Sequence, residues 1–271
     1  SANASNWTAA SMGAEDQMID SPQNSKGSNF CVMNPLIKQT QAYNLTEGNL
    51  ECAYVGSGGG YPTQCIGTIP MITGKWYWEV YNKEINTAGW NQSELGIISL
   101  KAQMEYQLGL YGNKSNPGVL YYYSHNGDWY ASNGTGTHDQ EDYGDTFTDG
   151  DIIGIAVNMD DSQITFYKNN TAQASGTPID FDDMTVPVDI ADGALPYTSI
   201  DQYTSDRKLM NFGQDSSFAG NLTAQGNADG NGVGDFYYSP PSGFLALCSD
   251  NLPSPETVSY THLTLPTNRE V

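Results

Sequence analysis

Residues 148–170 constrain the fold more than any other part of this sequence. After an Asp-Gly-Asp turn, residues 152–159 are apolar on both faces, as expected of a strand inside a packed sheet. Residues 160–162 favour a tight turn, and residues 164–167 alternate apolar and mixed side chains. The stretch therefore predicts two adjacent antiparallel strands, with space beside Gly154 for a neighbour.

A second strand is predicted over residues 74–81. Trp76, Trp78 and Val80 share one face, whereas Tyr77 and Glu79 lie on the other. We expect the first face to be core and the second to be mixed. Many short strands of this kind and no long periodic helical segment predict an all-β fold.

Other strands and turns are predicted along the chain. The Asn126-Gly127 pair is the strongest short hairpin signal. Residues 181–184 and 186–190 are predicted to be edge strands, because Pro187 cannot donate a hydrogen bond inside a sheet. Residues 214–235 are interpreted as a long polar loop.

Charge and cysteine usage exclude several classes of function. The 271 residues have a formal net charge of −21, which disfavours nucleic acid and acidic membrane surfaces as partners. Calcium binding and solubility are both consistent with this charge. The four cysteines form no C-x-x-C pair, so neither a zinc site nor a disulfide scaffold is indicated, and buried free thiols are expected. No apolar run approaches membrane-spanning length.

A glycosidase would need two carboxylates across a sugar ring. Residues 74–81 offer Glu79 alone, with Glu94 as a candidate partner elsewhere. Because one member of the required pair is missing from the strand, a solvated sheet face explains Glu79 better. No catalytic residue is predicted.

Residues 227–235 resemble the front half of a calcium loop. Asn227, Asp229, Asn231 and Asp235 place side-chain oxygens along it, but Tyr238 stands where a bidentate Glu would close the site. The alternative is a flexible Asn/Asp/Gly loop. Apart from this calcium ion, no cofactor is expected.

Aromatic residues supply the candidate recognition surface. A run of three tyrosines, residues 121–123, must place at least one ring on each sheet face. Core packing explains most of these rings equally well, so exposure is expected for one or two. The candidate binding residues are Trp90, Tyr121, Tyr123, His125, Trp129 and Tyr130.

Four motifs in this order resemble the SPRY domain family. They are Gly74-Lys75-Trp76-Tyr77-Trp78-Glu79-Val80, Leu95-Gly96-Ile97, residues 143–157 from Tyr143-Gly144-Asp145 to Val157, and Ile164-Thr165-Phe166-Tyr167-Lys168-Asn169. The resemblance spans about residues 29–248. It implies a two-sheet antiparallel β-sandwich of the SPRY or concanavalin-like type.

A narrower resemblance is to SPRY-containing proteins of tailed bacteriophages. It is carried by Asn34-Pro35-Leu36, by residues 211–215, and by residues 239–248 with 251–253. It implies a virion or tail-associated structural protein, with a secreted or cell-surface location as the alternative. Assembly into a virion oligomer would follow from this location.

The ends of the chain are interpreted separately. Residues 1–28 are expected to be a poorly ordered arm or the end of an upstream region, and residues 29–250 the sandwich. Residues 251–257 are expected to start a truncated downstream region. Residues 258–271 resemble the translation of a sequencing adapter, so we expect disorder there and exclude them from fold reasoning.

These observations predict a non-enzymatic binding or assembly module that recognises a protein or a glycan. A lectin-like domain for host glycans is the alternative, and a concanavalin-like glycosidase is less well supported. Recognition is expected in loops on a rigid sandwich, namely residues 88–91, 114–118, 124–129 and 135–142.

Overall fold

The computed structural model describes residues 29–37, 43–55, 63–85, 93–101, 117–133, 138–184, 188, 190–200 and 206–253. Their strands, in chain order, are β1 (Tyr43–Thr46), β2 (Glu51–Tyr54), β3 (Thr63–Ile66), β4 (Lys75–Glu84), β5 (Glu94–Ser99), β6 (Pro117–Tyr123), β7 (Asp128–Asn133), β8 (His138–Asp142), β9 (Ile152–Asn158), β10 (Gln163–Lys168), β11 (Thr171–Ala172), β12 (Ile179–Asp180), β13 (Ala194–Ile200), β14 (Arg207–Asn211) and β15 (Leu245–Ala246). Two short 3-10 segments cover Glu47–Asn49 and Gln173–Gly176.

The strands form two sheets. The nine-stranded sheet has the order β1-β2-β14-β4-β9-β10-β11, with β12 also paired to β10 and β15 paired to β4. The six-stranded sheet has the order β3-β13-β5-β6-β7-β8. All these pairs are antiparallel except β15 with β4. The predicted two-sheet antiparallel β-sandwich is thereby confirmed.

The hairpin predicted from residues 148–170 is present as β9 and β10. Every residue of β9 is buried. β4 and β10 pair with its two edges, Ile153 and Ile155 pack between the sheets, and Ala156 packs with Phe236 on the other face. The side chain of Asn158 stabilises the turn by accepting hydrogen bonds from the backbone N–H groups of Asp160 and Asp161, both at 3.2 Å. A Cβ on Gly154 would lie 2.6 Å from the Tyr77 hydroxyl oxygen, so the neighbour predicted beside this glycine is the Tyr77 ring.

The main core lies between the sheets. Trp76, Trp78 and Val80 of β4 belong to it, as predicted from their alternation. From the six-stranded sheet, Leu95 and Tyr122 join the same buried cluster. On each strand, every second side chain therefore points inward and contributes to the apolar layer between the two sheets.

The second face of β4 is more buried than predicted: Tyr77 and Glu79 are buried, while Lys75 and Tyr81 are partly exposed. Tyr77 packs edge-on against Phe236, with ring centroids 5.3 Å apart. Tyr81 lies 5.5 Å from the ring of Phe218. The predicted polar loop after Asn211 thus covers the outer face of the nine-stranded sheet, because a few apolar residues within it dock on the aromatic rings of β4.

Two strand predictions need correction, and one strand was not predicted. Residues 181–184 form bends and no strand, while Pro187 lies outside the described residues. Residues 194–200, for which no strand was predicted, form β13 between β3 and β5, with Pro196 inside it. Residues 138–142, interpreted as loop, form the edge strand β8.

The hairpin and cysteine predictions are confirmed. Gly127 adopts a φ of 77° in the turn between β6 and β7, and a Cβ there would lie 2.0 Å from the carbonyl oxygen of Gly144. All four cysteines are buried free thiols. In the described part of the chain, no helix is long and apolar enough to span a bilayer.

Candidate functional site: an acidic groove between two sheet edges

A cavity of about 540 Å³ opens where the edges of the two sheets approach each other. One wall is β8, the edge strand of the six-stranded sheet, and the other is the segment that contains β12. The described residues that line it are Trp129, Asp139, Gln140, Glu141, Asp142, Tyr143, Ala174, Thr177, Pro178, Ile179, Asp180, Asp183 and Met184.

The walls of this groove are strand edges rather than strand faces. Residues 139–143 all line the cavity, as do residues 177–180. Successive side chains of a strand point to opposite faces, so consecutive lining residues indicate that the backbone itself borders the cavity. Within the described residues, β8 pairs only with β7.

The floor of the groove is apolar and fixed. Trp129 is 8 % exposed and belongs to the main core. Tyr143 donates a hydrogen bond from its hydroxyl to the carbonyl of Thr177, at 3.2 Å, and so joins the two walls. Ile179 and Met184 supply aliphatic surface beside them. The floor is therefore held by the same packing that holds the sandwich.

The charged residues among the described lining residues of the groove are all acidic. Five lining residues carry carboxylates: Asp139, Glu141, Asp142, Asp180 and Asp183. Glu141, Asp142 and Asp183 are exposed, and none of the described lining residues is Lys, Arg or His. Carboxylates of one sign around an apolar floor concentrate a negative potential there, which favours a cationic ligand.

The predicted aromatic surface is only partly where it was expected. Tyr121, Tyr123 and Tyr130 form a buried cluster on the outer face of the six-stranded sheet, while Tyr122 lies in the main core. The run does place rings on both faces, but the expected exposure of these rings is wrong. Tyr197, Ile66, Ile98 and other apolar groups pack around them.

The other predicted binding residues have different outcomes. His125 is exposed at the hairpin turn, with its ring 5.8 Å from that of Tyr123. Trp129 is buried, yet it lines the groove. Trp90 lies outside the described residues. Binding by His125 and Trp129 stays a prediction.

The predicted calcium loop is organised by hydrogen bonds to Asp229. Its Oδ1 accepts hydrogen bonds from the N–H groups of Asn231 and Val233, at 2.8 and 2.9 Å. Its Oδ2 accepts two more, from the N–H of Ala246 at 2.9 Å and from Nδ2 of Asn251 at 2.8 Å. Asp229 therefore holds the loop onto β15.

The described residues contain no group of three or more His, Cys, Asp or Glu side chains that could hold a metal ion. Asn227 Oδ1 accepts a hydrogen bond from the Ser239 hydroxyl at 3.1 Å, and Asn231 donates from Nδ2 to Asn251. Asp235 Oδ1 is buried and has no hydrogen-bond partner within the described part of the chain. Calcium binding stays a prediction, and these hydrogen bonds argue against a preformed oxygen cage.

Glu79 is not on a solvated face. It is 0 % exposed, and its two carboxylate oxygens accept hydrogen bonds from the N–H of Tyr237 at 2.8 Å and of Tyr238 at 2.7 Å. The Tyr77 hydroxyl and Nδ2 of Asn211 also donate to it, both at 3.2 Å. Burial raises the pKa of Glu79 to about 7, although these hydrogen bonds lower it.

Glu94 cannot complete a pair with Glu79. It lies on β5, and its Oε2 accepts a hydrogen bond of 2.6 Å from the Tyr197 hydroxyl. Tyr197 belongs to the cluster on the outer face of the six-stranded sheet, whereas Glu79 faces outward from the nine-stranded sheet. The two carboxylates are thus on opposite sides of the sandwich, which excludes a shared sugar between them.

The family model of the SPRY domain matches residues 75–188. This segment is therefore similar to the SPRY domain family. The SPRY segment extends from the start of β4 past β12, so it includes the central hairpin and every lining residue of the groove. SPRY domains are generally protein-interaction modules.

Solved SPRY structures are similar to the chain. The crystal structure of the SPRY domain of human HERC1 is 18 % identical, with a TM-score of 0.46 over 66 % of this chain and 96 % of that one. A crystal structure of a human SPRY domain is 16 % identical, with a TM-score of 0.44 over 63 % and 94 %. No curated protein sequence matches the chain.

Sequence reasoning found parts of the groove but not the groove itself. Two predicted recognition loops, residues 124–129 and 135–142, contribute Trp129 and the wall that ends at Asp142. The opposite wall, with Asp180 and Asp183, was missed. The sequence does show an acidic segment at residues 180–183 that could have indicated this wall. Its place opposite β8, however, follows from the pairing of β12 with β10, which the sequence does not reveal.

Proposed function

We propose that this chain is a non-enzymatic binding and assembly module of a tailed-phage virion, and that a virion protein binds in the acidic groove. The observation that carries the proposal is the groove within the SPRY segment, with a rigid apolar floor and exposed carboxylates. A rigid concave site with a few placed polar groups is what a recognition module needs.

Two observations support binding rather than hydrolysis. The Glu79 carboxylate is enclosed and accepts four hydrogen bonds, so a substrate cannot reach it. Glu94 points away on the other sheet. A glycosidase on this strand would lack both its accessible acid and its base.

The virion part of the proposal is supported by the sequence resemblance to tailed-phage SPRY proteins, carried by residues 34–36, 211–215, 239–248 and 251–253. A glycan ligand has less support, because Tyr121, Tyr123 and Tyr130 are buried and present no stacking surface. We therefore propose a protein as the ligand in the groove.

Photo-crosslinking in assembled particles tests the proposal. A photoreactive amino acid is placed at Asp183 in the groove wall, and in a matched variant at Asp192, which is exposed and outside the groove lining. We expect a covalent adduct to one virion protein, identified by mass spectrometry, from position 183 alone.

Two results would contradict the proposal. Absence of the chain from purified particles would exclude virion assembly, and equal crosslinking from both positions would exclude the groove. A glycan array probed with the same domain distinguishes the alternative, since strong binding that persists in a Glu141→Gln/Asp183→Asn variant would favour a lectin site elsewhere.

A further inference from the structure

Two of the four buried cysteines meet between the sheets. Cys52 lies on β2 of the nine-stranded sheet and Cys65 on β3 of the six-stranded sheet, and both side chains belong to the main core. Both are free thiols, 0 % and 2 % exposed respectively. A hydrogen bond joins the two thiols. The core therefore holds a pair of sulfur atoms, one from each layer of the sandwich.

The two sheets approach each other closely at this place. Stacked sheets lie about 10 Å apart, but Cα atoms of β2 come within 8 Å of those of β13, the strand that pairs with β3. Lys208, the register partner of Cys52, donates from Nζ to the carbonyl oxygen of Ser199 on β13, at 2.8 Å. Cys65 pairs with Thr198, the residue beside Ser199. The two cysteines thus lie on the strands next to one inter-sheet hydrogen bond.

This placement suits a covalent bond between the layers. A disulfide needs Cα atoms about 4.4–6.8 Å apart, which strands of opposite sheets reach only where the sheets converge. We propose that Cys52 and Cys65 are a redox modification site, at which a small disulfide such as oxidised glutathione converts the two thiols into a disulfide that joins the sheets.

The oxidation consists of two thiol–disulfide exchanges. The thiolate of one cysteine attacks a sulfur of glutathione disulfide, whose S–S bond breaks and releases one glutathione. The thiolate of the other cysteine attacks the protein sulfur of the mixed disulfide, which releases the second glutathione and forms the bond between Cys52 and Cys65. The two departing glutathione thiolates take up the two protons that the cysteines lose. Glutathione disulfide is reduced by the two electrons that the cysteine pair gives up.

The closed sandwich protects the pair from this reaction. Burial raises the pKa of the Cys52 thiol well above its usual range, so the thiolate that would attack is suppressed. Exchange therefore needs a local opening of the fold that admits the oxidant. Once formed, the bond closes a loop over residues 53–64 and restricts the unfolded chain, which stabilises the folded state.

Oxidation of the full chain tests the proposal. The protein is incubated with glutathione disulfide in native buffer, alkylated with N-ethylmaleimide in denaturant, and digested without reduction. We expect one crosslinked peptide pair that joins Cys52 to Cys65, while Cys31 and Cys248 carry the maleimide. The melting temperature should rise by about 5–10 °C and return to its initial value after dithiothreitol.

The other two cysteines are matched controls, because Cys31 and Cys248 are also 0 % exposed. The Thr68 hydroxyl donates to the Cys31 sulfur at 3.7 Å, and Cys248 belongs to the cluster on the outer face of the nine-stranded sheet. Cys31→Ala should leave the crosslink between Cys52 and Cys65 unchanged, whereas Cys65→Ala should abolish it. If Cys65→Ala does not fold, the peptide map of the wild type alone decides.

Several results would overturn the proposal. They are four alkylated cysteines after oxidation, glutathione mixed disulfides alone, a crosslink from Cys65 to Cys31, and the same mixture of pairs as in protein oxidised in urea. A crosslink that leaves the melting temperature unchanged or lowers it would show that the bond does not fit the native sandwich. Both cysteines are outside the lining of the groove, so failure here leaves the proposed protein-binding function in place.

Discussion

Glu79 shows how a single side chain can connect two distant parts of the chain. It lies on β4, while the N–H groups that it binds belong to Tyr237 and Tyr238, more than 150 residues later. Because an enclosed carboxylate is costly unless its lone pairs are used, the four donors stabilise the covering segment in one position. Its role here is to hold structure.

The first prediction concerns pH. The pKa of Glu79 is raised by burial from 4.5 to about 7, so between these values the folded state keeps a proton that the unfolded state releases. This contribution to stability is complete below pH 4.5 and is lost as pH rises through 7. We expect the free energy of unfolding of the wild type, relative to Glu79→Gln, to fall by about 2–3 kcal/mol between pH 5 and pH 8.

Urea unfolding at several pH values measures this difference. Glu84→Gln, on the same strand and half-buried, controls for the removal of one carboxylate. A wild-type advantage that grows with pH would contradict the prediction, since it would mean that the four hydrogen bonds to the carboxylate outweigh its desolvation.

Alternation predicted the faces of individual residues but not what covers them. Trp76, Trp78 and Val80 were assigned correctly to the core because a strand has a period of two. The burial of Glu79 was not predicted, since it depends on Phe236 and its neighbours docking from a segment whose composition is that of a polar loop. Burial by a distant segment leaves no local periodic signal.

At the scale of elements, the segment after β14 covers the outer face of the nine-stranded sheet. Hydrogen bonds from backbone N–H groups to side chains hold much of this segment in place. Asp215 accepts from the N–H groups of Ser217 and Ala219, and Asn211 accepts from those of Gly213 and Asp215. Asx turns of this kind order a segment whose strand pairing is limited to β15 and the bridge between Asn227 and Phe236. The Asn- and Asp-rich composition that indicated a flexible loop is therefore what fixes it.

Asp229→Asn tests the origin of this order. The substitution places an NH₂ group against two of the donors that now bind the carboxylate, those of Ala246 and Asn251 or those of Asn231 and Val233. We expect a loss of about 2–4 kcal/mol in the free energy of unfolding, measured in urea, because each side chain-to-backbone bond to a charged group contributes about 1.5–3 kcal/mol.

The exposed Asp250→Asn substitution is the control for Asp229→Asn and should change the free energy of unfolding by no more than about 0.5 kcal/mol. Calcium is added in a parallel series. A rise in melting temperature of the wild type with calcium, absent in Asp229→Asn, would contradict the purely structural role and support the calcium loop.

Strands and turns were predicted correctly where the local sequence has a clear hydrophobic period and turn-forming residues. The hairpin of β9 and β10 and the Asn126-Gly127 turn combine periodicity with turn chemistry, and both are present. In contrast, β13 contains Pro196 and β8 is almost entirely polar, so neither matches a buried or alternating pattern. The groove was not predicted, because one of its walls is β8 and the polar sequence of β8 does not indicate a strand.

At the scale of the whole molecule, one buried ion pair joins the two sheets. Lys208 on β14 and Asp206 are both 0 % exposed, with Nζ 2.6 Å from the carboxylate. The same Nζ donates to the carbonyl oxygen of Ser199, on β13 of the opposite sheet, at 2.8 Å. The ammonium group thus has three acceptors from two layers, which offsets the cost of its burial.

Lys208→Met is expected to destabilise the chain by about 3–5 kcal/mol, because it leaves the buried Asp206 carboxylate without its cation. The double variant Asp206→Asn/Lys208→Met should be more stable than Lys208→Met alone, since no uncompensated charge remains. Lys75→Met, which removes an exposed pair with Asp161 at 3.6 Å, is the control and should cost at most about 1 kcal/mol. Thermal and urea unfolding of the wild type, Asp206→Asn, Lys208→Met and the double variant measure the coupling. If the double variant were as unstable as the sum of its two single changes, the pair would not act as a unit across the sandwich.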